Sequence, residues 1–406
     1  MSMAAACAAG GRSLIVPQCK MFTVTAGGGM QLIRAGRDRR IDFFRGLALW
    51  WIFTDHIPAN WIAQFSLRNF ALCDSAEVFV LLAGYGAGLA YGRAMDRNGW
   101  VSAGADTLRR AWTLYISHIF LFVVFAAQVS YSATALDRAD YLDELHLDVL
   151  GEEPYRAMLE ALTLHFQPAY LDILPMYIVM LVMFAFALPL LRYPHFLAAL
   201  SFGIYATARV AGLNLPSWTT NGWYFNPLTW QLLFVIGSIM AYSPGAPPSR
   251  RLSRVFDAMS LVVILFGLVM QWVVWEHPEI TRHLPARLAH ILLSVDKQGL
   301  HPFRLASILA VVWSVSRLVP ASAPWLGSRW AAPFLLCGQH SLPVFCSGIF
   351  LSFLGRLLME ELDGWWIGIT VNVVGGACLV FVGALAAWFG EKGRRVTPPL
   401  AAPVVT

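Results

Sequence analysis

Apolar runs of near-membrane length follow one another along almost the whole chain, separated by short polar connections. Hydropathy predicts about ten helical spans, near residues 41–58, 75–92, 110–130, 171–191, 196–213, 228–243, 257–276, 303–319, 333–355 and 365–389. A chain that buries its backbone in lipid in this way must satisfy its peptide groups within each segment. The expected fold is therefore all-α, a polytopic integral membrane protein. Residues 1–36 read as a disordered Ala/Gly-rich extension with Met30 as an alternative translation start. Residues 37–392 read as one membrane-embedded domain, and 393–406 as a cytoplasmic tail.

The basic residues set the orientation. Arg34, Arg37, Arg39 and Arg40 precede the first run, and Arg93, Arg97, Arg109 and Arg110 flank the second connection. Arg192, Arg250, Arg251, Arg254, Arg317, Arg329, Lys392, Arg394 and Arg395 continue the pattern in every second connection. The 131–170 segment is instead acidic, with Asp137, Asp140, Asp143, Glu144, Asp148, Glu152, Glu153 and Glu160. The positive-inside rule then puts both termini in the cytoplasm and the acidic segment outside. One connection breaks the rule. The outer loop before the eighth run holds Arg282, Arg287, Lys297 and Arg304, an arrangement suited to holding an anionic ligand.

Composition agrees with the hydropathy pattern. Of 406 residues, 58% are hydrophobic and 13% charged, against about a quarter charged in a soluble domain. The net charge of +5 is dispersed among loops, which argues against a nucleic-acid partner. Six cysteines are scattered without CxxC spacing, and Cys337 and His340 form a lone CxxH, so neither a disulfide framework nor a metal site is expected. Gly84, Gly88 and Gly92 lie four apart, a small-residue pattern for close helix packing, expected beside the first span. The EEPYRAMLEALTLHF stretch has amphipathic spacing and is expected along the outer membrane surface.

Chemistry concentrates in RIDFFRGLALWWIFTDHIPAN. Eleven residues make about three turns, so Arg45 and His56 share one helix face, roughly 16 Å apart. Asp42 is spaced to pair with Arg45 on that face, and Asp55 adjoins His56. Ionisable groups inside a membrane helix usually face the protein interior and mark a pathway or a site, although each one alone could be an interfacial anchor. At the outer surface, Asp74, Glu77, Asp172, Asn226, Gln231, Lys297 and Arg304 converge with the first span's end, suggesting a polar cavity open to the outside. At the inner depth, Gln339 and His340 are placed near Arg45.

Arg45 and His56 form the R-x10-H arrangement of the acyltransferase 3 superfamily, which the chain resembles. RDRRIDFFRGLAL, DSAEVFVLLAGYGAG, FQPAYLDILPMYIVML, WYFNPLTWQLLFVIG, DKQGLHPFRLASILA and CGQHSLPVFC further resemble the OpgC-type branch, over roughly residues 37–355. That resemblance implies an inner-membrane succinyltransferase of osmoregulated periplasmic glucans. Its partners would be a glucan acceptor, an acyl-CoA donor, the lipid bilayer and glucan-biosynthesis proteins. It implies succinyl-CoA as donor substrate and no permanently bound cofactor. His56 would be the catalytic base, with Asp74 or Glu77 orienting it. Arg45, with Asp42, Gln339 and His340, would serve the donor, and Asp172, Asn226, Gln231, Lys297 and Arg304 the acceptor. The alternatives are an O-acetyltransferase of an envelope polysaccharide, or a glycan transporter or flippase, for which charged intramembrane residues are equally suited.

Overall fold

A computed structural model describes residues 38–396, apart from Thr220 and Asp363. The expected N-terminal extension and most of the expected C-terminal tail lie outside the described residues. Among those described there are helices and turns and no strand. The first helices are α1 (Arg39–Asp55), α2 (Ser75–Asn98), α3 (Trp100–Ala135) and the short α4 (Pro154–Leu162). They are followed by α5 (Ile173–Arg192), α6 (Pro194–Ala211), α7 (Pro227–Tyr242) and α8 (Arg250–Val274). The surface helix α9 (Ala286–Leu293) leads to α10 (Pro302–Leu318), α11 (Ala332–Gln339), α12 (Ser341–Glu361) and α13 (Trp365–Val396).

Six of these, α2, α3, α5, α8, α12 and α13, are long and apolar enough to cross a membrane. Helices α1, α6, α7 and α10, which are also expected spans, do not meet that measure. Helices α1, α7 and α10 have 17, 16 and 17 residues, short of the roughly 20 that a hydrocarbon core asks for. Helix α6 has 18 residues but lower hydropathy, and the ninth expected span is broken at His340 into α11 and α12. Outward-facing Trp112, Ile116, Phe120 and Val123 on α3, with Met259, Val262 and Leu265 on α8, form apolar stripes at helical spacing that suit contact with lipid.

Helices touch backbone to backbone where glycines lie. A Cβ on Gly84 or Gly88 would strike the backbone of Phe234 or Ser238, and one on Gly237 would strike Leu81. The small-residue face of α2 therefore packs on α7, not on α1 as expected. Helix α1 uses Gly46 and Gly338 to meet α11, and its Phe53 and Trp50 rings cover Gly375 and Gly376 of α13. The result is a bundle with α1 and α2 held centrally by different partners, which fixes the two ends of the Arg45–His56 face.

Candidate functional site

His56 ends α1. Its backbone N–H donates to Ile52 O at 3.2 Å, and its Nδ1 lies 2.6 Å from the same oxygen. A carbonyl oxygen can only accept, so Nδ1 carries the proton and Nε2 the lone pair. Tyr170 closes over the ring edge-to-face at 4.4 Å and donates its hydroxyl to His56 O at 3.2 Å.

Beside this histidine sits a network of four charges. Asp74 and Glu77 form a capping box at the start of α2: Asp74 accepts from Ala76 N at 2.8 Å, and Glu77 accepts from Asp74 N at 2.9 Å. Arg304, near the start of α10, then donates its Nε to Glu77 at 2.6 Å and its Nη2 to Asp74 at 3.1 Å. Lys297 Nζ reaches the same Asp74 at 2.7 Å. Glu77 is wholly buried, so its charge depends on Arg304.

The loop that carries Lys297 is tightly built. Trp230 Nε1 donates to Lys297 O and Gln298 O, Tyr205 donates to Leu300 O, and Arg209 donates to Gly299 O and to Asp296. Burial works against the Lys297 ammonium, yet the Asp74 and Glu77 carboxylates outweigh it and hold the group above the ordinary lysine value. Its charge is felt at His56, Asp55, Asp172 and Tyr224. The structure thus brings His56, Asp74, Glu77, Asp172, Lys297 and Arg304 to one end of the bundle.

The expected orienting role of Asp74 or Glu77 looks different in place. Both carboxylates are engaged by cations, and the hydrogen bond that orients the imidazole is donated by its Nδ1 to Ile52 O. Asn226 and Gln231, expected in the acceptor site, are taken up by structure. Asn226 caps α7 through Leu228 N and donates to Leu213 O, while Gln231 exchanges hydrogen bonds with Ser201 on α6.

Below the charged network lies a cavity of about 190 Å³ lined by Arg45, Phe79, Ala83, Tyr91, Arg110, Leu174, Tyr177, Ser341 and neighbours. Its wall on α2 runs from Phe79 to Tyr91, about 18 Å of helix at 1.5 Å per residue. Phe79 and Leu174 stand two residues beyond Glu77 and Asp172, so one end of the cavity underlies the charged network. Two guanidinium groups also line the cavity. Arg45 Nη2 donates to Leu82 O at 2.9 Å, and Arg110 enters from α3. Asp42 is buried one turn before Arg45. His340 sits at the α11–α12 break, next to the lining residue Ser341, whereas Gln339 is exposed and outside the lining. Tyr91 and Tyr177 were not singled out from sequence, and Arg110 stood there only as an orientation charge.

Long apolar helices around a buried charge network and an arginine-lined cavity define an integral membrane protein with an internal site. A family model described as OpgC protein matches residues 37–391, and the chain belongs to that family. No curated protein and no solved structure matches it. Membership points to a role in modifying osmoregulated periplasmic glucans, with acyl transfer as the type of reaction.

Proposed function

We propose that this chain is an inner-membrane O-succinyltransferase that moves a succinyl group from cytoplasmic succinyl-CoA to hydroxyls of periplasmic glucans. The observation that carries the reading is the 2.6 Å contact of His56 Nδ1 with Ile52 O, which leaves Nε2 as a ready proton acceptor at the charged end of the bundle. There, Nε2 takes the proton of a sugar hydroxyl as its oxygen attacks the thioester carbonyl. The tetrahedral centre then collapses, the carbon–sulfur bond breaks, and the imidazolium returns its proton to the departing thiolate. No second nucleophile is needed for this direct transfer.

The cavity supports the same reading. At about 190 Å³ it is smaller than the roughly 300–1,000 Å³ of a pocket that takes in a whole drug-sized ligand. It suits the narrow acyl-pantetheine arm of a donor, with the phosphates held by Arg45 and Arg110. An arm lying along α2 from those arginines would bring a thioester toward the His56 end of the bundle. Lys297, half-exposed and close to His56, suits the free carboxylate of a succinyl group. Ten spans with both termini cytoplasmic belong to this proposal, because they put Arg45 at the donor's side and His56 at the acceptor's.

The test is transfer from radiolabelled succinyl-CoA to purified periplasmic glucan by the detergent-solubilised protein. Glucan that gains anionic charge and the mass of succinyl groups is the expected result. Transfer from acetyl-CoA alone would move the assignment to an O-acetyltransferase. Glucan movement across vesicles without acylation would make the protein a transporter.

A further inference from the structure

Tyr170 occupies a backbone conformation that a bulky residue rarely adopts. Its φ is +74°, in the left-handed region, and such strain persists only where the surroundings over-determine it. Here they do. Ala169 N donates to Leu145 O at 3.2 Å and Leu171 N to Pro168 O at 3.1 Å, which fastens the turn to the acidic segment before it. That segment is latched in turn by Arg356 of α12, which is buried and donates to Glu144 at 2.5 Å and to Glu360 at 2.7 Å. Arg356 also lies over the ring of the buried Tyr141, whose hydroxyl donates to Glu360 at 2.6 Å. Tyr170 itself is within electrostatic reach of Arg356.

We propose that Tyr170 is a positioning residue for His56, pressed onto the imidazole by the outer segment that Arg356 latches, so that the ring keeps Nδ1 on Ile52 O and Nε2 turned to the substrates. The proposal rests on the reading of His56 as the base. Two contacts carry it, the edge-to-face packing at 4.4 Å and the hydroxyl bond to His56 O at 3.2 Å. A strained turn needed only to connect two helices would be served better by glycine or asparagine, which accept positive φ at little cost. A tyrosine there spends conformational energy to put a ring on His56.

Tyr170→Asn is the informative variant, because it relaxes the backbone while removing the ring. Nitrogen-15 spectra of histidine-labelled protein in detergent, with the His56 signals assigned by their loss in His56→Gln, read the tautomer directly. In the unaltered protein His56 should show a protonated Nδ1 and a bare Nε2. In Tyr170→Asn it should show mixed tautomers, with kcat for succinyl-CoA-dependent transfer down between about tenfold and a hundredfold and KM unchanged. Tyr170→Phe, which keeps the ring, should hold the single tautomer and stay within about threefold of the original kcat. A Tyr170→Asn protein with the original tautomer and kcat would overturn the proposal. So would one that does not fold, since Tyr170 would then belong to the fold. Full turnover in His56→Gln would remove the base itself, a separate outcome from either of these.

Discussion

Lys297 Nζ stands 2.7 Å from Asp74 Oδ2, tying a loop before α10 to the first residue of the α2 capping box. The basic residues of that loop run against the charge pattern of the other connections, and this contact gives a physical reason for two of them. Lys297 and Arg304 are held by carboxylates inside the protein, so they are not free to act as orientation signals.

The ion pairs of this network should be unequal in kind. Glu77 is wholly buried and Arg304 nearly so, so Arg304→Met strands a charge and should destabilise the fold by about 3–5 kcal/mol. Replacing both, Arg304→Met with Glu77→Leu, should recover most of that loss. Thermal melting of the solubilised protein measures it, and a double variant no better than the single one would contradict the pairing. Lys297→Met, at a half-exposed position, should fold normally and lose transfer.

His56→Gln should abolish acyl transfer while leaving insertion and melting temperature unchanged, since the amide can imitate the bond to Ile52 O but cannot take up a proton. The measurement is glucan charge in cells expressing each variant at matched membrane levels. Near-normal acylation would take His56 out of the chemistry.

Much of the site was readable because charges in apolar helices are rare and must find partners. Asp74, Glu77, Lys297 and Arg304 stand out individually, and pairing is what physics demands of them. The Arg45–His56 spacing was equally plain from helical geometry. The structural duties of Asn226 and Gln231 were harder to read, because a polar residue looks the same in sequence whether it faces a ligand, caps a helix as Asn226 does, or bonds a neighbouring helix as Gln231 does. The Asn-Pro pair, with an N-cap followed by proline at the first helical position, was the available sign of a cap. Tyr170, Arg110 and the α2–α7 glycine contact were not legible, because each depends on which helices become neighbours. Periodicity along one helix carries no information about that.

Reporter fusions near residues 145 and 290 should signal an external location, and those near 100 and 250 a cytoplasmic one. The site near 290 is the critical one. A cytoplasmic signal there would break the proposed alternation between α8 and α10, and with it the shared compartment of Lys297 and His56.

The close α2–α7 contact predicts sensitivity to bulk. Gly84→Val would drive a side chain into the Phe234 backbone and should cost about 1–3 kcal/mol through overpacking. Gly203, whose added Cβ meets nothing, should accept alanine without loss. Comparable melting temperatures for Gly84→Val and the unaltered protein would argue against the packing described.

Arg45 and Arg110 approach one cavity from different helices, and their roles can be separated by kinetics. If both hold donor phosphates, each alanine variant should raise the apparent KM for succinyl-CoA by about tenfold to a hundredfold, the worth of a charge-assisted hydrogen bond. The turnover number should change little, because Arg45 lies about three helical turns from His56 along α1. Arg45→Lys keeps the charge and loses the planar fork, so it should fall between the original and Arg45→Ala. A structural role for Arg45 beside the buried Asp42 predicts otherwise: poor folding of Arg45→Ala, rescued when Asp42 is changed to Asn in the same molecule. A stable Arg45→Ala protein with unchanged donor KM would free the cavity of its donor assignment.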